Sequence, residues 1–312
     1  MKLATFDSGQ GQRLGALNGA GDAIVDLSAT GAPALASMQA LIEAGEDGLA
    51  AARTAAKGPS RPLAEVRLLA PLPVPPQIRD ASSFPRHIAN APIGMRRLAA
   101  ALAGEPDPGP GPGEGEVPPV YRAQPIYYIT NRFSVVGHEA EIRWPAYSEY
   151  MDFELEIAAV IGRGGRDIAK ADALSHVFGY TIFNDFSARD TQLREMAGML
   201  GPTKGKSFDA GNVFGPVIVT ADEIPDPRAL KATARINGKT FVETDCAAML
   251  HGFDDMIAFI SRAETLHPGE IIGSGTVNDG CGLERFEFLR DGDVVELEVD
   301  GIGLLRNRVT HG

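Results

Sequence analysis

Apolar residues in this chain cluster in short runs rather than in long amphipathic stripes. From residue 123 onward the runs PIYYIT, EIAAVIG, VFGYTIF, GPVIVTA, ATARING, EIIGSGTV and DVVELEV are of strand length and are separated by polar or glycine-containing turns. Helical patterns are fewer, chiefly over 169–176 and 253–263. The C-terminal DVVELEVDGIGLLRNRV predicts a hairpin with Asp300-Gly301 as its turn. No internal repeat occurs, and strands do not alternate regularly with crossover helices. The pattern over 79–312 therefore predicts an α+β domain with a mostly antiparallel or mixed sheet.

The first 70 residues predict a small mixed unit. Apolar runs at 3–6 and 23–27 are split by the turns DSGQGQ and NGAGD, and the Ala-rich stretches 33–44 and 48–57 have good helix propensity. A strand-like 65–69 follows. Then APLPVPPQ places Pro71, Pro73, Pro75 and Pro76 where neither a helix nor a central strand can form. Residues 71–78 are expected to be a stiff connector between a small unit (1–70) and a larger one (79–312). Residues 104–119, GEPDPGPGPGEGEVPP, hold almost no apolar side chain and predict a mobile surface loop, either a lid or a tolerated insertion.

Composition narrows the function. The 312 residues carry 41 acidic against 29 basic side chains, a net charge of −12, which disfavours nucleic acid or an anionic membrane as partner. No apolar run approaches the 18 or so residues of a membrane helix, and MKLATFDSGQ lacks a signal core, so a soluble cytoplasmic protein is expected. Two cysteines, Cys246 and Cys281, are too few for a disulfide framework or a zinc site of several thiolates.

The strongest local feature is MDFELEIAAVIG. Side chains alternate across a strand, so Glu154 and Glu156 share one face. Two carboxylates side by side in an apolar strand repel each other unless solvated or bound to a cation; on its own the pair fits a solvent-facing edge strand more simply. FGYTIFNDFSARDTQ then runs from an apolar strand into Asn184-Asp185, where Asp185 either joins the two glutamates around an ion or caps a following helix. In such a helix Arg189 and Gln192, three apart, would lie on one face. RDASSFPRH supplies Asp80 and His87, GPTKGKSFD supplies Lys206 and GSGTVNDGCGLE supplies Thr276 and Glu284, none of them telling alone.

In combination, MDFELE, NDFSARDTQ, KGKSFD, GSGT and the GIG hairpin resemble the fumarylacetoacetate hydrolase family, in its longer form with a separate N-terminal domain. The resemblance implies a mixed β-roll catalytic domain that dimerises and binds Mg²⁺ or Ca²⁺, with Mn²⁺ a further candidate. It implies Asp80, Glu154, Glu156 and Asp185 as metal carboxylates, His87 with Glu284 as the pair that activates water, and Arg189, Gln192, Lys206 and Thr276 as holders of substrate oxygens. An all-oxygen anionic set also suits a hard divalent ion rather than zinc or copper. Ser82 and Met196 stand where fumarylacetoacetate hydrolase proper carries pocket tyrosines, and Asn90 stands where the short acylpyruvate hydrolases of the family carry a lid glutamate.

The expected activity is metal-dependent hydrolysis of a carbon–carbon bond in a β-diketo acid such as an acylpyruvate. A decarboxylase, tautomerase or sugar-acid dehydratase working through an enolate on the same scaffold is the alternative, and a non-catalytic metal-binding protein the third.

Overall fold

The structure, a computed structural model, describes residues 1–9, 11–111 and 115–311. The predicted strands form around one large mixed sheet, twelve strands among the described residues, and a second sheet of five. The large sheet runs in the order Lys2–Asp7, Asn212–Thr220, Val177–Asp185, Leu155–Ile161, Ile271–Gly273, Ile78–Ala81 and Tyr127–Ile129, with the remaining N-terminal strands beyond Lys2–Asp7. Most neighbours are antiparallel; Ile271–Gly273 and Ile78–Ala81 run parallel, pairing Gly273 with Asp80. The architecture is α+β with sheets that do not close into a barrel, and the predicted C-terminal hairpin is present as Val294–Val299 and Gly303–His311.

The run EIAAVI is almost wholly apolar because both its faces are covered. Leu155, Ile157, Ala159 and Ile161 face a core shared with Leu297, Leu305, Phe253 and Ile257. Ala158 and Val160 face a second core with Phe183, Phe214, Leu41 and Ile42, which brings the N-terminal helices onto the sheet. Fully burying each such Leu, Ile or Phe contributes about 1.5–3 kcal/mol. Leu155–Ile161 is hydrogen-bonded on both sides and every residue in it is buried, so it is a central strand and the edge-strand alternative is excluded.

The N-terminal unit is not set apart in space, because Lys2–Asp7 pairs with Asn212–Thr220 inside the large sheet. We propose that 71–78 divides the chain in sequence into 1–70 and 79–312, the two parts sharing one sheet. Of the glycine- and proline-rich 104–119, residues 112–114 lie outside the described part; in the remainder, Asp107 accepts from Arg97 Nε at 2.7 Å.

One long element departs from the expectation. Pro85–Ala103 is a 19-residue helix, although Pro92 and Gly94 interrupt its sequence pattern. Pro85 starts it, where a missing N–H costs nothing, and Gly104 closes it with a left-handed φ of 70°. Gly94 is needed for space: a Cβ there would lie 2.5 Å from the Leu283 carbonyl oxygen. The helix therefore packs directly on the turn that carries Glu284.

Candidate functional site

Strand register assembles the site. Leu155 pairs with Asn184, which sets the preceding Glu154 across from Asp185 at the strand ends. Asp80 arrives from the other side, beside Gly273 on the parallel pair. Asp80, Glu154, Glu156 and Asp185 each present a carboxylate oxygen within 4.8 Å of the others, and all four residues are buried. Asp185 is not a helix cap; the helix Arg189–Met196 starts after Ala188, with no side-chain cap.

The cations nearby are fewer than the anions. Lys206 Nζ donates to Glu154 Oε2 at 2.5 Å and to Asp185 Oδ2 at 2.6 Å. Arg189 donates from Nε to Asp152 at 2.8 Å, pairs through Nη2 with Glu154 at 2.7 Å, and donates from Nη1 to Gln192 Oε1 at 2.9 Å. With Asp152 counted, five buried carboxyls face two cations. Tyr128 donates its hydroxyl to Asp185, and the Gly275 N–H reaches Glu156 Oε2 at 3.0 Å. Even so, Asp80 Oδ1, Glu156 Oε1 and Asp185 Oδ1 receive no donor from the described residues. Leaving buried charged oxygens unpaired costs more than any single hydrogen bond returns, so the set fits a divalent cation taking hard oxygen ligands.

Proton affinities reflect the same imbalance. Burial and the neighbouring Asp185 push the Asp80 carboxyl up to about 8, and burial with Asp80 raises Glu156 well above the carboxylate range. Asp185 rises to about 6, where burial outweighs the pull of Lys206. Glu154 goes the other way: burial would raise it, but Lys206 and Arg189 together hold it below its ordinary value. Burial would lower Lys206, but Asp185 and Glu154 raise it and keep it charged.

These shifts carry a signed expectation. A carboxyl whose folded pKa is raised leaves the metal-free fold fully stable below its ordinary value and destabilises it as pH rises towards the folded value. Between about pH 4 and 8 the metal-free protein should therefore lose melting temperature, through Asp185 up to about pH 6 and through Asp80 up to about pH 8. A bound divalent ion replaces those protons, so the gain in melting temperature on adding Mg²⁺ should be larger at pH 8.5 than at pH 5.5. Thermal scans with and without Mg²⁺ at the two pH values check this; an equal or smaller gain at pH 8.5 contradicts it.

His87, in the first turn of Pro85–Ala103, meets Glu284 through Nδ1 and Oε1 at 2.8 Å. Glu284 Oε2 also accepts the Asp279 N–H at 3.2 Å, which holds the carboxylate in place. A cavity of about 270 Å³ adjoins both groups, lined among others by Asp80, His87, Glu154, Glu156, Gln192, Lys206 and Thr276. Ser82 and Met196 line it too, but so do Tyr121, Tyr127 and Tyr128, so the cavity does not lack tyrosines. Arg189 and Glu284 stand behind its walls: Arg189 is fully buried, its guanidinium occupied by Asp152, Glu154 and Gln192.

Sequence reasoning missed three groups. Asp152 accepts from the Gly282 and Leu283 N–H groups at 2.7 and 2.9 Å as well as from Arg189, joining the Arg189 helix to the Glu284 turn. The alternation that paired Glu154 with Glu156 also reaches Asp152, so that signal was present. Tyr128 and Cys281 had none beyond their presence in a strand and a turn. Gly273 is a further constraint: a Cβ there would lie 2.4 Å from Asp80 Oδ1 and 3.1 Å from Glu156 Oε2. Gly273→Ala should cost about 1–3 kcal/mol of stability by overpacking and weaken Mn²⁺ binding at least tenfold by displacing Asp80. Calorimetric titration checks it, and unchanged Mn²⁺ affinity would refute the packing argument.

The α+β scaffold thus brings together a buried carboxylate centre, a His–Glu pair and a small cavity. The chain belongs to the fumarylacetoacetate hydrolase family: residues 104–310 match the family model described as Fumarylacetoacetate (FAA) hydrolase C-terminal. It is 32% identical over 315 residues to a mitochondrial oxaloacetate tautomerase of Homo sapiens, covering 99% of this chain and 91% of the relative. Among solved structures it is similar to a fumarylacetoacetate hydrolase from Exiguobacterium antarcticum, with a TM-score of 0.77, 29% identity and full coverage of both chains. It is also similar to maleylpyruvate hydrolase from Sphingobium sp. SYK-6, solved with manganese (II) ion and pyruvate, with a TM-score of 0.76, 26% identity and full coverage of both. The protein is thus a member of an enzyme superfamily whose relatives include tautomerases and hydrolases. Among the described residues no helix is long and apolar enough to cross a membrane.

Proposed function

We propose that this protein catalyses enol chemistry on a small 2-oxo acid, with keto–enol tautomerisation of an oxaloacetate-like substrate as its first reaction. The observation that carries the proposal is the group of three donor-free carboxylate oxygens of Asp80, Glu156 and Asp185 in a buried centre beside the cavity that His87 lines. The 32% identical relative named as an oxaloacetate tautomerase supports tautomerisation ahead of the hydrolysis expected from sequence.

Asp80, Glu154, Glu156 and Asp185 would hold a divalent ion, Mg²⁺, Mn²⁺ or Ca²⁺. Once bound, the ion supplies Lewis-acid polarisation of the substrate's adjacent oxygens and offsets the surplus negative charge. Lys206, fixed by Glu154 and Asp185, offers a charged donor to an enolate oxygen. Gln192 and Thr276, on the cavity wall, orient the carboxylate and carbonyl groups, while Arg189 holds Glu154 and Gln192 in place. His87 removes a proton from the substrate carbon and returns one to the enolate, or takes it from water in a hydrolase. Glu284 accepts from Nδ1, which leaves Nε2 free to carry that proton and stabilises the imidazolium.

Hydrolytic cleavage of an acylpyruvate is the second reading, favoured by that His–Glu contact and by the manganese- and pyruvate-bound maleylpyruvate hydrolase with the same fold. One experiment separates the two. Purified protein with Mg²⁺ or Mn²⁺ is given oxaloacetate, acylpyruvates and fumarylpyruvate in oxygen-18 water while enol absorbance is followed and products are identified. Faster enol–ketone interconversion without cleavage supports the first reading, and heavy oxygen in a carboxylate product supports the second. No acceleration of either with any of the panel would overturn both. The expected homodimer and a cytoplasmic setting belong to the same proposal and are tested by light scattering and by cell fractionation.

A further inference from the structure

Behind the cavity wall, three atoms of different chemical character converge. His87 Nδ1 lies 2.8 Å from Glu284 Oε1, and Cys281 Sγ lies 3.6 Å from Glu284 Oε1 and 3.8 Å from His87 Nδ1. Three atoms at those separations all touch a sphere of radius about 2.0 Å, close to the reach of zinc to nitrogen and oxygen and slightly short of its reach to sulfur. In a tetrahedral site with those bond lengths the ligand atoms stand about 3.4–3.6 Å apart. Only the Nδ1–Oε1 pair must open, by about half an ångström.

The three side chains are held from separate directions. His87 sits in the first turn of Pro85–Ala103, which Gly94 packs against the 281–284 turn. Cys281 forms an antiparallel bridge with Glu154, and the next two N–H groups are fixed by Asp152. The set is thus distinct in chemistry from the all-carboxylate centre: one imidazole, one thiol and one carboxylate suit a borderline-soft ion, whereas oxygen-only ligands suit a hard one.

We propose that His87, Cys281 and Glu284 form a second, inhibitory site for a divalent ion of the Zn²⁺ or Cd²⁺ class. Binding would release the thiol proton to solvent, move the ring proton from Nδ1 to Nε2 and form bonds from Sγ, Nδ1 and Oε1 to the ion, with the fourth position filled by water. With Nδ1 bonded to the ion and the ring proton on Nε2, the imidazole has no lone pair left to take a proton from substrate. The inhibition rests on the role given to His87 under the proposed function; the site itself does not.

The test uses whole protein kept in excess Mg²⁺ so that the carboxylate centre is supplied, and titrates it with Cd²⁺. About one equivalent should produce the ultraviolet cadmium–thiolate charge-transfer band. The band should vanish in Cys281→Ser and persist in Cys246→Ser, since Cys246 is a buried cysteine without these partners. The Zn²⁺ concentration for half-inhibition should rise at least tenfold in Cys281→Ser. No band, a band that follows Cys246, or equal Zn²⁺ inhibition in Cys281→Ser overturns the proposal. If Cys281→Ser fails to fold, X-ray absorption of the wild-type protein with one equivalent of Zn²⁺ decides: one sulfur among nitrogen and oxygen ligands supports the site, and none refutes it. A Cys281-dependent band without loss of activity supports the ion site but refutes both the inhibition and the proton-carrying role of His87.

Discussion

Replacing His87 with alanine is expected to lower kcat by about 10²- to 10⁴-fold, the range that a positioned general acid–base group contributes. The ion should bind as before, because His87 is not one of the four clustered carboxylates. The fold should survive as well: the His87 side chain is 12% exposed in the first turn of a 19-residue helix, where alanine is a good helix former. Glu284→Gln should lose less, since an amide oxygen can still accept from Nδ1 but cannot offset an imidazolium charge. The double variant should be far from additive, because the two side chains act as one unit. Steady-state kinetics with Mn²⁺ titration calorimetry on each variant test this. Wild-type turnover in His87→Ala, or an additive double variant, would remove the pair from the chemistry.

Glu156→Gln should show two effects of different character. Mg²⁺ or Mn²⁺ affinity should fall at least about 100-fold, and activity with it, because an amide neither carries charge nor replaces a carboxylate as a hard ligand. The metal-free fold should not suffer. Burial and Asp80 already drive the Glu156 carboxyl towards its neutral form, so a neutral isostere removes repulsion at alkaline pH and changes little at neutral pH. The melting temperature without ion should stay level or rise, while the increase on adding Mg²⁺ disappears. A residue kept only for packing would lower both. Full activity in Glu156→Gln after exhaustive chelation would show that the centre is not an ion site.

The parts of the site that are legible in the sequence are those that lie close together along the chain. Glu154 and Glu156 follow from alternation within one strand, and the Arg189–Gln192 contact follows from helical spacing of three; both geometries hold whatever else the chain does. The strand runs and the closing hairpin were legible for the same reason. The helix Pro85–Ala103 was not, because Pro92 and Gly94 break its local pattern and it is stabilised by packing on Leu283 rather than by propensity.

The sequence by itself thus determined the local geometry of this protein: its α+β character, its strand runs and the carboxylate pairing within a single strand. Motif resemblance named the distant members, but only the tertiary structure brought them together. Asp80 reaches Glu156 because Ile78–Ala81 runs parallel to Ile271–Gly273, and His87 meets Glu284 across 197 residues of chain. Tertiary pairing also joined the first strand to Asn212–Thr220 and turned Asp152 into the link between Arg189 and the Glu284 turn. The physical reason is that alternation and helical period act within one element. Strand order and register are set instead by burial of the whole sheet, which no single segment encodes.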